Sequence, residues 1–308
     1  MEGNTVRHHI TTGKFTLPCT YAFAAALWAF SPTTSQEHWI VFLWMAAITY
    51  ILYAVYNNVS LIRVRSWLLP SCFIILCAVM PFLHVVSPAC FAVTLFLAAQ
   101  HFLLASYQNI HPERNIFHAF LFLVLGAVFM PQTIFLGIAF FFAMLTFLRA
   151  FSLRAFISIF LAILTVTIFS LFTALVLNRM QEFQEHLMTI RDIHFEYVQS
   201  WNTQQIVNAS FLGTLILISI LHYGKTNFND KIRTRMYFYV IILETLVAIV
   251  MLLLYPQYFN ELIFVLLTQA TPLFAHYMVL GKGRLSDFFF FVILLAIAVL
   301  AAYNLWIT

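Results

Sequence analysis

The feature that constrains this chain most is the recurrence, from one end to the other, of apolar runs about 15–23 residues long, closed off by proline, asparagine or charged residues. A helix of about 20 apolar residues crosses the roughly 30 Å hydrocarbon core of a bilayer. Eleven such runs are read, at 15–30, 38–56, 67–86, 89–107, 116–130, 132–148, 155–177, 206–223, 237–255, 262–280 and 288–306. A composition of 63% apolar and 8% charged residues leaves no segment from which a soluble domain could be built, because globular chains carry about 25% charged residues. The expected fold is an all-α polytopic membrane protein forming one membrane domain over 1–308. Pro131 separates the fifth and sixth runs, and reads either as a tight turn or as a kink in one bent segment.

Basic residues order the runs, because Lys and Arg accumulate in cytoplasmic loops. With the N-terminus inside, thirteen of the fifteen fall on the inner side: Arg7, Lys14, Arg63, Arg65, Arg114, Arg149, Arg154, Lys225, Lys231, Arg233, Arg235, Lys282 and Arg284. Only Arg179 and Arg191 fall outside, both in one loop. The expected topology is N-terminus in and C-terminus out, in a bacterial inner membrane. Arg7 and Lys14 before the first run, with small residues at 24–26, also fit a signal peptide, but ten further runs favour a retained first helix.

The loop at 178–205 places Met180, Phe183, Leu187, Ile190, His194, Tyr197 and Trp201 at three- and four-residue spacing. This periodicity predicts an amphipathic periplasmic helix. It serves either as an interfacial connector or as a lid over a lateral opening.

Ionisable and amide groups inside the runs are the candidates for function, since lipid makes them costly. Glu244 lies about eight residues into the ninth run, and Gln269 in the next, one turn before Pro272, stands at a similar depth. Gln100 and His101 lie near His111, Glu113, Arg114 and His118 at the inner ends of the fourth and fifth runs. Histidine and carboxylate together permit acid–base work, although pairing across a hairpin is their commoner use. On the outer face Glu37, His186, His194 and Glu196 are the available acids and bases. His84 and His276, near run ends, read as interfacial. Asn57 and Asn58 read as caps of the second helix or as contacts to phosphate head groups. Cys19, Cys72, Cys77 and Cys90 read as small buried apolar residues, with no spacing for a metal or a disulfide framework. No nucleotide, zinc-protease or serine-hydrolase motif occurs, so no cofactor is expected and catalysis is disfavoured.

The segment RSWLLP at 65–70, the stretch at 115–154 with FMP at 129–131 and RAFSLR at 149–154, and the basic loop ahead of the ninth run followed by Pro272 resemble a family of uncharacterised multi-spanning inner-membrane proteins of Gram-negative bacteria. The resemblance covers about 65–306 and implies location and fold; it carries over no site residue. Three functions follow as expectations: transport or flipping of a lipid-linked or amphipathic solute, an accessory role in a cell-envelope assembly, and a lipid-linked glycan transferase or polymerase. The partners implied are membrane lipids, a lipid-linked substrate or an envelope protein, and no nucleic acid.

Overall fold

The computed structural model describes residues 10–11, 13, 15–31, 36–64, 66–193, 201–281 and 283–307, with backbone alone at 36, 37, 284 and 285. Among the described residues the chain is helical and has no strand. Its helices are α1 (Thr16–Ala29), α2 (Gln36–Asn58), α3 (Leu68–Val79), α4 (Pro88–Ala105), α5 (Glu113–Phe129) and α6 (Leu136–Thr146). They continue as α7 (Leu153–Val176), α8 (Met180–Met188), α9 (Thr203–Thr226), α10 (Ile232–Leu254), α11 (Phe259–Leu280) and α12 (Arg284–Ile307). Seven of them, α2, α4, α7, α9, α10, α11 and α12, are long and apolar enough to cross a membrane. The protein is thus an all-α, multi-pass membrane protein.

Each of the other four expected runs also carries a helix, but a shorter one. Proline accounts for two of them. Met80, at φ −109° and ψ 89°, and Met130, at φ −138° and ψ 92°, leave the helical region directly before Pro81 and Pro131. The clash of a proline ring with the preceding residue drives that exit. A 3₁₀ turn follows in both places, Pro81–Leu83 and Pro131–Phe135. Consequently α3 has 12 residues and α6 has 11. At 1.5 Å per residue, α3 advances only about 18 Å.

Among the described residues, the amphipathic helix expected over 178–205 is much shorter than its periodicity suggested. It is the nine-residue α8, ended by a 3₁₀ turn at Thr189–Arg191, after which Asp192 adopts φ −77° and ψ 58°. His194, Glu196 and Tyr197 lie outside the described residues, as does the side chain of Glu37.

The chain divides into two compact units. Unit 1 comprises Met1–Val86, Ser200–Thr234 and Leu266–Thr308. In it α3 packs on α1, α2 and α12, and α12 packs on α9. Val79, Leu300 and Ala301 form a buried core there. Beside that core the Asn208 and Asn304 amides each donate to the other's Oδ1, at 3.0 Å in both directions. Asn304 Nδ2 also donates to the Val79 carbonyl at 2.8 Å. This supplies a donor to the broken end of α3, whose last carbonyls have no helical partner.

Unit 2 comprises Ser87–Gln199 and Arg235–Val265. Its centre is the α4–α5 hairpin, with α7 packed on α5. Gly126 faces α4 closely: a Cβ there would just reach van der Waals contact with the Ala92 carbonyl oxygen, at 3.4 Å. The cysteines do not behave uniformly. Cys77 and Cys90 are buried as expected, whereas Cys72 is half-buried and Cys19 is exposed.

Candidate functional site

Two polar centres stand out, one in each unit. In unit 2 α4 carries Gln100 and α10 carries Glu244, both at 0% exposure. Gln100 Nε2 donates to Glu244 Oε2 at 2.7 Å, joining groups 144 residues apart in the chain. Glu244 Oε1 has no hydrogen-bond partner among the described residues. A neutral amide therefore answers half of a buried carboxyl group. Leaving the other half unanswered in an apolar surround costs free energy on the order of 1–3 kcal/mol, so the site is kept at the expense of stability.

Gln269 is also fully buried, and neither atom of its amide has a hydrogen-bond partner among the described residues. It lies on the part of α11 that belongs to unit 1. Three residues later Pro272 removes the amide that would have donated to the Thr268 carbonyl.

The histidines near His101 do not converge on Gln100. His101, one residue on, is about 100° away around the helix. His118 instead stacks on Phe102 with ring centroids 4.9 Å apart, and its Nδ1 lies 2.7 Å from the Arg114 carbonyl. His111 meets Glu113 at 3.5 Å on the exposed end of the hairpin. On the other loop His186 Nε2 is 3.0 Å from the Val128 carbonyl, and the phenol of Tyr255 donates to the Ile190 carbonyl at 2.5 Å. Gln257 donates to the Asp192 carbonyl at 2.7 Å. The described part of this loop is thus strapped to neighbouring turns of its own unit.

Unit 1 holds a centre that sequence reasoning missed. Asp230, in the turn after α9, has a side chain only 1% exposed. Arg63 Nε lies 2.9 Å from its Oδ1, an ion pair whose angles do not make a hydrogen bond, and His276 Nε2 lies 3.2 Å from its Oδ2. Arg63 also donates to the Asn229 carbonyl at 3.0 Å. His276 is therefore not interfacial but buried, at 1% exposure. His84 is buried to the same degree and stacks on Trp28, with centroids 3.5 Å apart. A signal for Asp230 existed: one acid among the bases at 225–235. In a loop, however, such a residue reads as a solvated charge.

Local geometry places Arg63. Helix α2 ends in a left-handed residue, Ser60 at φ +49°. The Leu61 amide donates to the Tyr56 carbonyl and the Ser60 amide to the Asn57 carbonyl, at 3.1 and 3.0 Å. This pair is a Schellman motif, usually built on glycine. Asn57 and Asn58 are thus the last residues of the helix and not its cap. They line a cavity of about 700 Å³ together with Ser60, Arg63, Lys231 and Arg233.

With this geometry described, comparison with known proteins adds no relative: no protein-family model, no curated protein and no solved structure matches the chain.

Proposed function

We propose that this protein moves a lipid-linked or amphipathic solute across or within a bacterial inner membrane, through a bundle of eleven spans with its N-terminus in the cytoplasm. The observation that carries the reading is the Gln100–Glu244 pair: a fully buried carboxyl group on an apolar helix, with one oxygen unanswered. Ionisable groups at such depth are retained where a proton, an ion or a polar substrate passes. The amide of Gln269, without a hydrogen-bond partner among the described residues and beside a proline in the same apolar helix, adds a second polar position of the kind that transport helices carry. The alternation of basic loops supports the orientation. The short helices α1, α3, α5 and α6 count as crossings in this reading, with the 3₁₀ turns after Met80 and Met130 completing two of them.

The test is flux in proteoliposomes, followed by quenching of fluorescent anionic amphiphiles with a membrane-impermeant reductant. Wild-type protein is expected to exchange the probe between leaflets. Glu244→Gln, which preserves shape and the bond to Gln100, is expected to lower the rate about tenfold or more, the scale of one charge-assisted hydrogen bond. Equal rates in wild type and a well-folded Glu244→Gln variant overturn the reading.

A further inference from the structure

The cavity in unit 1 belongs to no part of the transport reading and has a chemistry of its own. It opens where α2 ends and α10 begins, and at about 700 Å³ it lies in the range of small-molecule sites. Three cationic side chains line it: Arg63, Lys231 and Arg233. Lys231 and Arg233 are exposed to solvent at its rim. No carboxylate is among its described lining residues. Asp230, the residue before Lys231, is buried, and its Oδ1 stands 2.9 Å from Arg63 Nε. One Nη group of Arg63 also donates to the Asn229 carbonyl at 3.0 Å. Lys231 and Arg233 thus add two exposed cationic side chains to the rim, beside Arg63, whose Nε faces Asp230.

Two further features bear on what fits. Arg233 and Thr234, in the first turn of α10, line the cavity wall, and the first amides of a helix have no acceptor within it. They add the positive end of a 23-residue helix to the same wall. Asn57, Asn58 and Ser60 supply neutral donors and acceptors opposite them. Multiple cations, helix amides and neutral hydrogen-bonding groups together suit a tetrahedral polyoxygen anion carrying hydroxyl substituents. A lone carboxylate would leave most of these donors unused.

We infer that this cavity is a binding site for a phosphorylated head group, held at the end of α2 by Lys231, Arg233 and the amides of α10 and steered by the anchored Arg63. The same chemistry is offered by an anionic phospholipid and by a free phosphomonoester. The inference goes beyond the transport reading, since a bundle that moved nothing would present the same cavity.

The experiment uses the full-length chain in phosphatidylcholine nanodiscs or detergent. Glycerol 3-phosphate binding is measured by titration calorimetry, and phosphatidylglycerol binding by native mass spectrometry against phosphatidylcholine. One saturable site is expected for at least one probe. Its affinity should fall with added salt, and about tenfold or more in Lys231→Ala/Arg233→Ala. Arg154→Ala/Arg179→Ala, which removes two charges outside the cavity, should bind as wild type. Binding of glycerol 3-phosphate identifies a site for soluble phosphomonoesters; binding of phosphatidylglycerol alone identifies a lipid head-group site. Absence of saturable binding of both probes to the wild-type chain overturns the inference, whatever the variants do. So does an equal loss in the two double variants.

Discussion

Two buried carboxyl groups, Asp230 in unit 1 and Glu244 in unit 2, meet opposite treatments. Asp230 has a cation or an imidazole near each oxygen, the His276 imidazole at 3.2 Å and Arg63 Nε at 2.9 Å, the latter an ion-pair contact without a hydrogen bond. Glu244 has one neutral amide on one oxygen. The first arrangement spends its acid on architecture: it ties the turn after α9 to the loop after α2 and to the last turn of α11. The second leaves the acid poised, since nothing among the described residues holds both of its oxygens. The difference separates a structural acid from a functional one more clearly than depth does, because both are buried.

The comparison makes its largest prediction at Asp230. Asp230→Ala strands Arg63 and a buried imidazole. It should destabilise the fold by about 3 kcal/mol, toward the low end for a broken buried pair because the Arg63 side chain is 44% exposed and can turn to solvent. Thermal melting in detergent, scored against Asp230→Asn, measures this. A loss below about 0.5 kcal/mol would place Asp230 with the dispensable surface charges.

The second prediction concerns Gln100 and Glu244 together. Replacing both with leucine removes an incompletely answered polar pair, and so should leave stability within about 1 kcal/mol of wild type or above it while abolishing flux. A strongly destabilised double variant would show that the pair is architectural after all, and the contrast with Asp230 would collapse. The smallest effect is expected at Ser60. Ser60→Gly relieves a side chain in a left-handed residue and should stabilise by about 0.5–1 kcal/mol, with Arg63 and the cavity unmoved.

Much of the helical plan could be read from the amino acids, because a membrane helix announces itself by apolar length alone. Helices stand at all eleven expected places, seven of them long enough to cross a membrane. Gln100 and Glu244 were each conspicuous as polar groups in apolar runs, but nothing in one sequence connects positions 144 apart. Asp230 was hidden by its basic neighbours. His276, Asn208 and Asn304 were hidden by their places near helix ends, where polar residues usually meet water. At 178–205 the three- and four-residue spacing runs on past Met188, although the backbone leaves the α-helix there. Periodicity records which side chains face the same way; it does not record where tertiary bonds draw the chain off the helix.

The hydrogen bond from Asn304 to the Val79 carbonyl has a consequence for the order in which the protein is made. Ribosomes deliver α3 before α12, the last of the described helices, and all of unit 2 emerges between them. Until α12 inserts, the end of α3 interrupted by Met80 and Pro81 has no amide from Asn304 to meet it, and α3 has lost a packing partner. Unit 1 is therefore completed during biogenesis by the latest of its described helices, closing around a segment delivered before any of unit 2.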